Sequence, residues 1–311
     1  MARYLGGKLF NIIISLLVLA TATFFLMKAV PGDPFTQEKA IPPEIKANIM
    51  AHYGLDKPLG TQYLVYMKNL FQLDLGESMK SQNRSVTTII KESFATSAKV
   101  GAIAIIVSVI VGIYLGMMAA LRHKKLIDNA AMFIAVIGIS IPNFVIGALL
   151  QYFLGVKFPI FTVQGLEGPL DYVLPTIALS TLPIAFIARL TRSTMLEVLT
   201  SDYIRTAKAK GLSPHAILWQ HGLRNGILPV VTYLGPMTAN IITGSVVVER
   251  IFGLPGLGGH FVESISNRDY TLIMGITIFY AVILMAARFI TDIVYIFVDP
   301  RIKVSGGVVK K

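Results

Sequence analysis

The 311-residue sequence contains no cysteine, a single tryptophan and only 14% charged residues. The missing cysteine removes disulfides and cysteine-ligated metal sites, although it does not fix the compartment. Catalytic signatures are missing as well. His52, His123, His215, His221 and His260 are scattered, and there is no H-E-x-x-H, no G-x-S-x-G and no carboxylate cluster, so an enzyme is not expected and no metal or cofactor is assigned to the chain. The phosphate-binding G-x-x-x-x-G-K-[ST] is absent too. The glycine-rich run from Phe252 to Gly259 is not G-x-G-x-x-G, because Phe261 stands where the last glycine would be. It reads as a sharply turning loop in which glycine permits backbone angles barred to other residues. The chain therefore has no means of its own to bind ATP.

What is abundant is apolar: 54% of the residues, with a positive mean hydropathy, which describes an all-α integral membrane protein. Stretches of about 17 to 25 mostly apolar residues can cross a bilayer as helices. Six such spans are predicted, at 9–30, 98–121, 130–154, 173–190, 227–248 and 272–298. Pro175 and Pro183 interrupt the fourth and Arg189 ends it, so it is expected to lean on its neighbours. The run from Leu9 to Val30 is too long for the apolar part of a signal peptide, and Ala20-Thr21-Ala22 is a weak cleavage site, so it reads as a retained first span.

The net charge of +11 is placed on one side of that arrangement. Arg3 and Lys8, then Arg122, Lys124 and Lys125, then the loop 188–226 and finally the tail from Asp299 hold the entire surplus. This is the positive-inside pattern, and it puts both termini in the cytoplasm. It also explains the basic balance without nucleic acid, for which no motif is present. The segment 31–95 carries seven basic and seven acidic residues and falls outside. Turn formers at Pro31–Pro34 and Pro42-Pro43 precede helical stretches near 43–53 and 60–73, which read as a small folded element, either a docking surface for a delivery protein or a cap on the bundle. Lys28 and Lys99 read as interfacial residues, and Arg288 and Asp292, four apart in the last span, as a structural pair.

The basic insert from Asp202 to Pro229 reads as two short helices joined by a corner: Gly211 suits a left-handed stop, Ser213 an N-cap and Pro214 the first position of the next helix. Tyr203, Ala207 and Gly211 fall four apart, with Arg205 and Lys208 beside them. A basic hairpin lying on anionic lipid is the alternative. The insert resembles the E-A-A-x3-G-x9-I-x-L-P coupling segment of ATP-binding-cassette importer permeases. Arg205, Thr206 and Ala207 occupy the E-A-A positions, Gly211 is in register, and His221-Gly222-Leu223-Arg224 stands in place of I-x-L-P. These departures move the resemblance toward the subgroup importing peptides and nickel. Further strings agree with its larger-loop permease: L-x-x-A-V-P-G-D-P at 26–34, H-Y-G-L-D-K-P-L-x-x-Q-Y-L-x-Y from His52, D-L-G-E-S at 74–78, S-V-V-V-E-R-I-F-G-L-P-G-L-G at 245–258 and N-R-D-Y at 267–270.

The resemblance implies a type I importer permease fold: a first helix at 1–30, an extracellular region at 31–95, a five-helix core at 96–300 with the coupling segment at 199–226, and a tail at 301–311. It implies a plasma-membrane protein of a bacterium or archaeon. Its expected partners are a second permease chain, two ATPase subunits or domains holding ATP and magnesium, an extracellular substrate-binding protein and membrane lipid. Asp202, Tyr203, Arg205, Thr206, Ala207, Lys208 and Gly211 are the expected ATPase contact. Glu249, Arg250, Pro255, Gly256 and Gly258 are the expected outer gate or delivery-protein contact, with a solvated Glu249-Arg250 pair at the membrane surface as the plainer alternative. The implied cargo is peptide, oligopeptides first. Nickel or another chelated metal is the alternative in the same class, and ATP-independent secondary transport the alternative outside it.

Overall fold

The computed structural model describes residues 2–30, 34–35, 42–81, 83–213 and 216–298. Pro31, Gly32 and Asp33, together with Pro214, His215 and the 301–311 tail, lie outside the described residues. Among those described, the protein is helical throughout, and the one extended pairing is an isolated bridge between Glu77 and Ser85. The helices are α1 (Ala2–Ala29), α2 (Pro43–His52), α3 (Leu59–Phe71), α4 (Val86–Leu121), α5 (Leu126–Ser140), α6 (Asn143–Leu150), α7 (Val173–Thr200), α8 (Asp202–Ala209), α9 (Leu223–Gly226), α10 (Leu228–Phe252), α11 (Leu257–Asn267) and α12 (Tyr270–Val298). Among the described residues, four helical segments are long and apolar enough to cross a membrane: Leu5–Ala29, Val86–Leu121, Pro169–Thr200 and Tyr270–Val294. A fifth crossing is available if α5 and the segment Asn143–Lys157 count as one span.

The third predicted span is not straight. The chain bends by 103° between Leu126–Ser140 and Asn143–Lys157. Ile141 is extended ahead of Pro142, as expected of a residue whose α conformation clashes with the following ring. The second span also differs: α4 begins at Val86, not near 98, and its 36 residues make a rod of roughly 54 Å at 1.5 Å per residue. That exceeds the roughly 30 Å hydrocarbon core, so part of α4 lies outside it. The fourth continues past Arg189 to Thr200, with Pro183 inside the helix. Arg288 is exposed and Asp292 half-buried.

The chain divides into two compact units. The first comprises the described residues up to Thr96 and Pro255–Met285. Its apolar core is Val86, Ile89 and Ile90 from the start of α4 with Leu257, Leu272 and Ile276. Both helices predicted within 31–95 form, and α3 lies against α1 through the Thr21–Tyr63 hydroxyl contact of 2.9 Å and the rings of Phe24, Phe25, Tyr63 and Tyr66.

The second unit comprises Ser97–Leu254 and the described residues from Ala286. Its axis is α7, buried from Leu174 to Met195 along one side. Two glycines one turn apart let α4 reach it. A β-carbon at Gly112 would lie 2.7 Å from that of Ile187, and one at Gly116 would lie 2.6 Å from the Ala188 carbonyl oxygen. This is the small-xxx-small approach by which helices without a hydrophobic driving force gain packing in lipid. Gly116→Val should therefore lower the thermal midpoint of the detergent-solubilised chain by forcing the helices apart, at about 1–3 kcal/mol or more. Gly7→Val, where a β-carbon meets nothing within 4 Å, is the matched control. Equal midpoints for the two variants would remove the close approach as a source of stability.

Candidate functional site

The basic insert folds as a hairpin fastened to the end of α7. Ser201 breaks the helix with extended backbone, and α8 follows. Ile204 and Ala207 are buried against Ile217, with Val198 of α7 completing the cluster. The corner uses a left-handed residue: Gly211 has φ +75°, its N–H donates to the Lys208 carbonyl at 3.0 Å, and the Leu212 N–H donates to that of Ala207 at 3.3 Å. This paired closure needs a backbone conformation that glycine takes without a β-carbon clash. The Ala216 N–H then donates to the Ser213 hydroxyl at 3.2 Å, the N-cap contact of the returning arm. That arm is a π-helical turn, Ile217–Gly222, continued by α9. It is clamped to α7 by Thr194, whose hydroxyl donates to the Gly226 carbonyl at 2.9 Å, and by Met195 packed against Gly222 and Gly226.

The expected ATPase-contact residues therefore separate by face. Asp202, Tyr203, Arg205, Thr206, Lys208 and Gly211 are exposed together. Ala207 is not; it packs inside the hairpin, because the i, i+3 pair Ile204 and Ala207 is the apolar side of an otherwise polar helix. Arg205 and Asp202 lie 3.4 Å apart but are largely solvated, so the pair contributes little. Leu212 and Trp219 leave apolar surface on the hairpin, 39% and 46% exposed. The sequence reading passed over both, though the lone tryptophan in a basic insert was a visible signal. His221 is half-buried on the π-helical turn.

The five outer-gate candidates fall in different units. Glu249 and Arg250 end α10 in the second; Pro255, Gly256 and Gly258 open α11 in the first. Glu249 is fully buried and Arg250 exposed, so the solvated pair does not form. Gly253 stops α10 at φ +60° with the same paired closure as Gly211. Gln151 caps the Ile251 carbonyl at 3.1 Å, and the Gly165 N–H reaches that of Phe252 at 2.9 Å. Pro255 is exposed, whereas Gly256 and Gly258 are buried.

One polar cluster appears only in three dimensions. The Asp128 carboxylate, 1% exposed, accepts from Arg192 Nε, from Arg192 Nη2 at 2.8 Å and from the Lys124 N–H at 2.9 Å, and lies 3.2 Å from His123 Nδ1. Bidentate guanidinium–carboxylate geometry is the strong form of such a pair. It fixes the start of α5 to α7 close to the hairpin's anchor.

Residues 112–304 match the model of the binding-protein-dependent transport system inner membrane component family, and residues 1–112 match that of its N-terminal part. The chain belongs to this family. It is 48% identical over 303 residues to the dipeptide transport system permease protein DppB of Bacillus subtilis, covering 97% of this chain and 98% of the relative. It is 41% identical over 305 residues to the oligopeptide transport system permease protein OppB of Salmonella typhimurium, covering 97% and 100%. Among solved structures, a chain of the MetNI methionine ABC transporter superposes with a TM-score of 0.57 at 16% identity, over 68% of this chain and 96% of that one. A chain of an amino acid ABC transporter gives 0.53 at 17% identity, over 67% and 94%. At that identity these two structures establish the shared permease fold.

Asp128→Ala strands a partly buried guanidinium. Because Arg192 keeps about a quarter of its side chain in solvent, the loss should be about 2–3 kcal/mol, below the roughly 3–5 of a wholly buried pair. Asp128→Asn, which retains an acceptor, should cost less. Thermal unfolding of both variants in detergent checks the order, and the reverse order would refute the pairing as the anchor.

Proposed function

We propose that the chain is a permease subunit of an ATP-driven peptide importer, and that the exposed face of α8 is where an ATPase subunit docks. The observation that carries the docking assignment is the division of the hairpin into an inner face locked onto α7 and an outer face of Asp202, Tyr203, Arg205, Thr206, Lys208 and Gly211. A force on that outer face is passed to α7 through Thr194 and Met195, and α7 is the helix against which α4 and α5 pack. The near-full-length identity to named dipeptide and oligopeptide permeases supports peptide as cargo ahead of nickel.

In this reading a second permease completes the pathway, two ATPases hold ATP and magnesium, and an extracellular binding protein delivers cargo. In the same reading the protein sits in the plasma membrane of a bacterium or archaeon with both termini cytoplasmic, a placement that the positive-inside bias of its basic loops supports. The ATPase pair must bind two permease conformations with different affinity, since equal affinity would shift neither. Glu249, Arg250, Pro255, Gly256 and Gly258 belong to the delivery side. Glu249 acts there from a buried position, and Arg250 and Pro255 supply accessible surface.

The test is affinity recovery of the tagged chain from mild detergent, with the ATPase and second permease quantified by mass spectrometry. Tyr203→Ala and Arg205→Glu should each lower ATPase recovery about tenfold or more, equivalent to about 1.4 kcal/mol of docking energy, and leave the second permease unchanged. Ala207→Asp should lose both, because it buries a charge inside the hairpin. Unchanged ATPase recovery in both surface variants would remove α8 as the docking face.

A further inference from the structure

Helix α3 reads L-G-T-Q-Y-L-V-Y-M-K-N-L-F, with Lys68 its one charged residue. Two apolar stripes run along it. Tyr63, Met67 and Leu70, spaced i, i+4, i+7, are half-buried, and Tyr63 and Tyr66 make the ring contacts with α1. The neighbouring stripe of Leu64, Lys68 and Phe71 has the same spacing but covers nothing in the chain: Leu64 and Phe71 are 68% and 72% exposed. Gln62, Asn69 and Gln72 take the remaining side.

The chain leaves this helix through a leucine in an unsuited conformation. Leu73 has φ +59°, its N–H donates to the Leu70 carbonyl at 3.0 Å, and the Asp74 N–H donates to that of Asn69 at 2.9 Å. Glycine is the usual residue in this paired closure, since it takes left-handed angles without a β-carbon clash. Leu73 accepts the strain and is then left 86% exposed, so neither the turn nor the packing of the chain accounts for a large apolar side chain there.

The contacts of α3 fix the depth at which these side chains lie. α1 is long and apolar enough to cross a membrane, and Lys28 in its last turn marks the interface at that end. The Tyr63 hydroxyl is 2.9 Å from that of Thr21, and its ring stacks on Phe25 at 5.5 Å. Thr21 and Phe25 precede Lys28 by two turns and one turn, so the contact lies roughly 5–10 Å to the hydrocarbon side of it at 1.5 Å per residue. A soluble partner arriving from water does not meet a surface at that level. Phe25 also belongs to the exposed apolar surface of α1, with Val18 and Leu26, so that surface continues onto α3 at the Phe25–Tyr63 stack. Charges flank α3 at both ends, Asp56 and Lys57 ahead of it and Asp74 behind. Neither end enters hydrocarbon cheaply, so the helix lies along the membrane plane.

We propose that α3 is an in-plane membrane anchor, with Leu64, Phe71 and Leu73 inserted among the phospholipid acyl chains of the leaflet at the Lys28 end of α1. Lys68 reaches back from the same face to the phosphates, its stem covering apolar surface while its charge stays at headgroup level. The inference rests on α1 being a span, and on neither the cargo nor the ATPase docking face.

Because the chain has no native cysteine, single-cysteine spin labelling of the full chain in phosphatidylcholine–phosphatidylglycerol nanodiscs tests the anchor. Nitroxides on Leu64→Cys, Phe71→Cys and Leu73→Cys should be about twofold or more as accessible to oxygen, which concentrates in hydrocarbon, as to a water-soluble chromium oxalate complex. Val18→Cys on α1 should behave alike, and Asp56→Cys should show the reverse. The variants compared are those whose thermal midpoint matches that of the parent chain. As a second readout, Phe71→Trp in a Trp219→Phe background should lose about half or more of its fluorescence in brominated phosphatidylcholine. Labels at 64, 71 and 73 that read like Asp56→Cys would place α3 in water and overturn the proposal. Labels shielded from both reagents would mean that protein covers the face, a second copy or a partner chain, and would overturn it equally. Either result leaves the importer reading standing. A water-exposed Val18→Cys label would instead overturn the placement of α1, and the anchor with it.

Discussion

The second unit depends on how closely α4 can approach α7, and that distance is set by two missing side chains. With β-carbons at 112 and 116 absent, the backbone of α4 lies against Ile187, Ala188 and Thr191. In a bilayer, where lipid chains are as apolar as leucine, such contact is the main enthalpic gain open to a helix pair. Everything attached to α7 inherits its position. Gly138 repeats the device for α5, where a β-carbon would lie 3.2 Å from that of Ala185. Arg192 then fixes the opening turn of α5 through Asp128, and Thr194 and Met195, within the next turn of α7, hold the hairpin. Packing contacts, an ion pair and the hairpin clamp therefore occupy consecutive turns of one helix. The hairpin is thereby tied to the bundle through that one helix.

The sequence made the backbone of the hairpin legible because its corner is governed by local chemistry. Gly211 and Ser213 act within a few residues of themselves, and their left-handed stop and N-cap form as expected. Ala207 failed that kind of reading. Its spacing to Tyr203 and Gly211 described a face, but which face turns inward was decided by Ile204 and by Ile217 across the corner. Asp128 and Arg192 carry no signal of their pairing in the sequence, since nothing in a 64-residue separation announces a pair. The bend at Pro142 was hidden for a different reason. Composition across 130–154 is mostly apolar on both sides of Pro142, and hydropathy is blind to direction.

Charge at the end of α10 shows the same limit. A Glu-Arg pair beside a glycine-rich turn reads as solvated surface, yet the helix ends with Glu249 inward and Arg250 outward. Neighbours on a helix are rotated by about a third of a turn, so adjacent charges seldom share an environment when one side of the helix is buried. Burying a carboxylate removes it from water, so the inward position of Glu249 carries a desolvation cost that its exposed neighbour Arg250 avoids.

The first unit solves a different problem, because it must hold the segment 72–81 with only an isolated antiparallel bridge, Glu77–Ser85, to pair it. Asp269 does this from the far end of the chain. One carboxylate caps α12 and accepts from both the side chain and the backbone of the 78–79 segment, so the order of the helix start is imposed on the loop. The preceding residue bears the strain: Arg268 adopts φ +57°, a left-handed conformation that costs roughly 1 kcal/mol for a residue with a β-carbon. The same paired closure that glycine provides at 211 and 253 is reached at 268 by a residue unsuited to it, with Arg268 N–H to Ile265 and Asp269 N–H to Ser264. The closure puts Asp269 at the N-cap of α12 and within reach of Ser78. Strain of this size is tolerated where several bonds depend on it, and the three made by Asp269 outweigh it at about 1 kcal/mol or more each for hydrogen bonds to a charged group. The strings H-Y-G-L, D-L-G-E-S and N-R-D-Y, separate in the sequence, are therefore parts of one hydrogen-bonded frame.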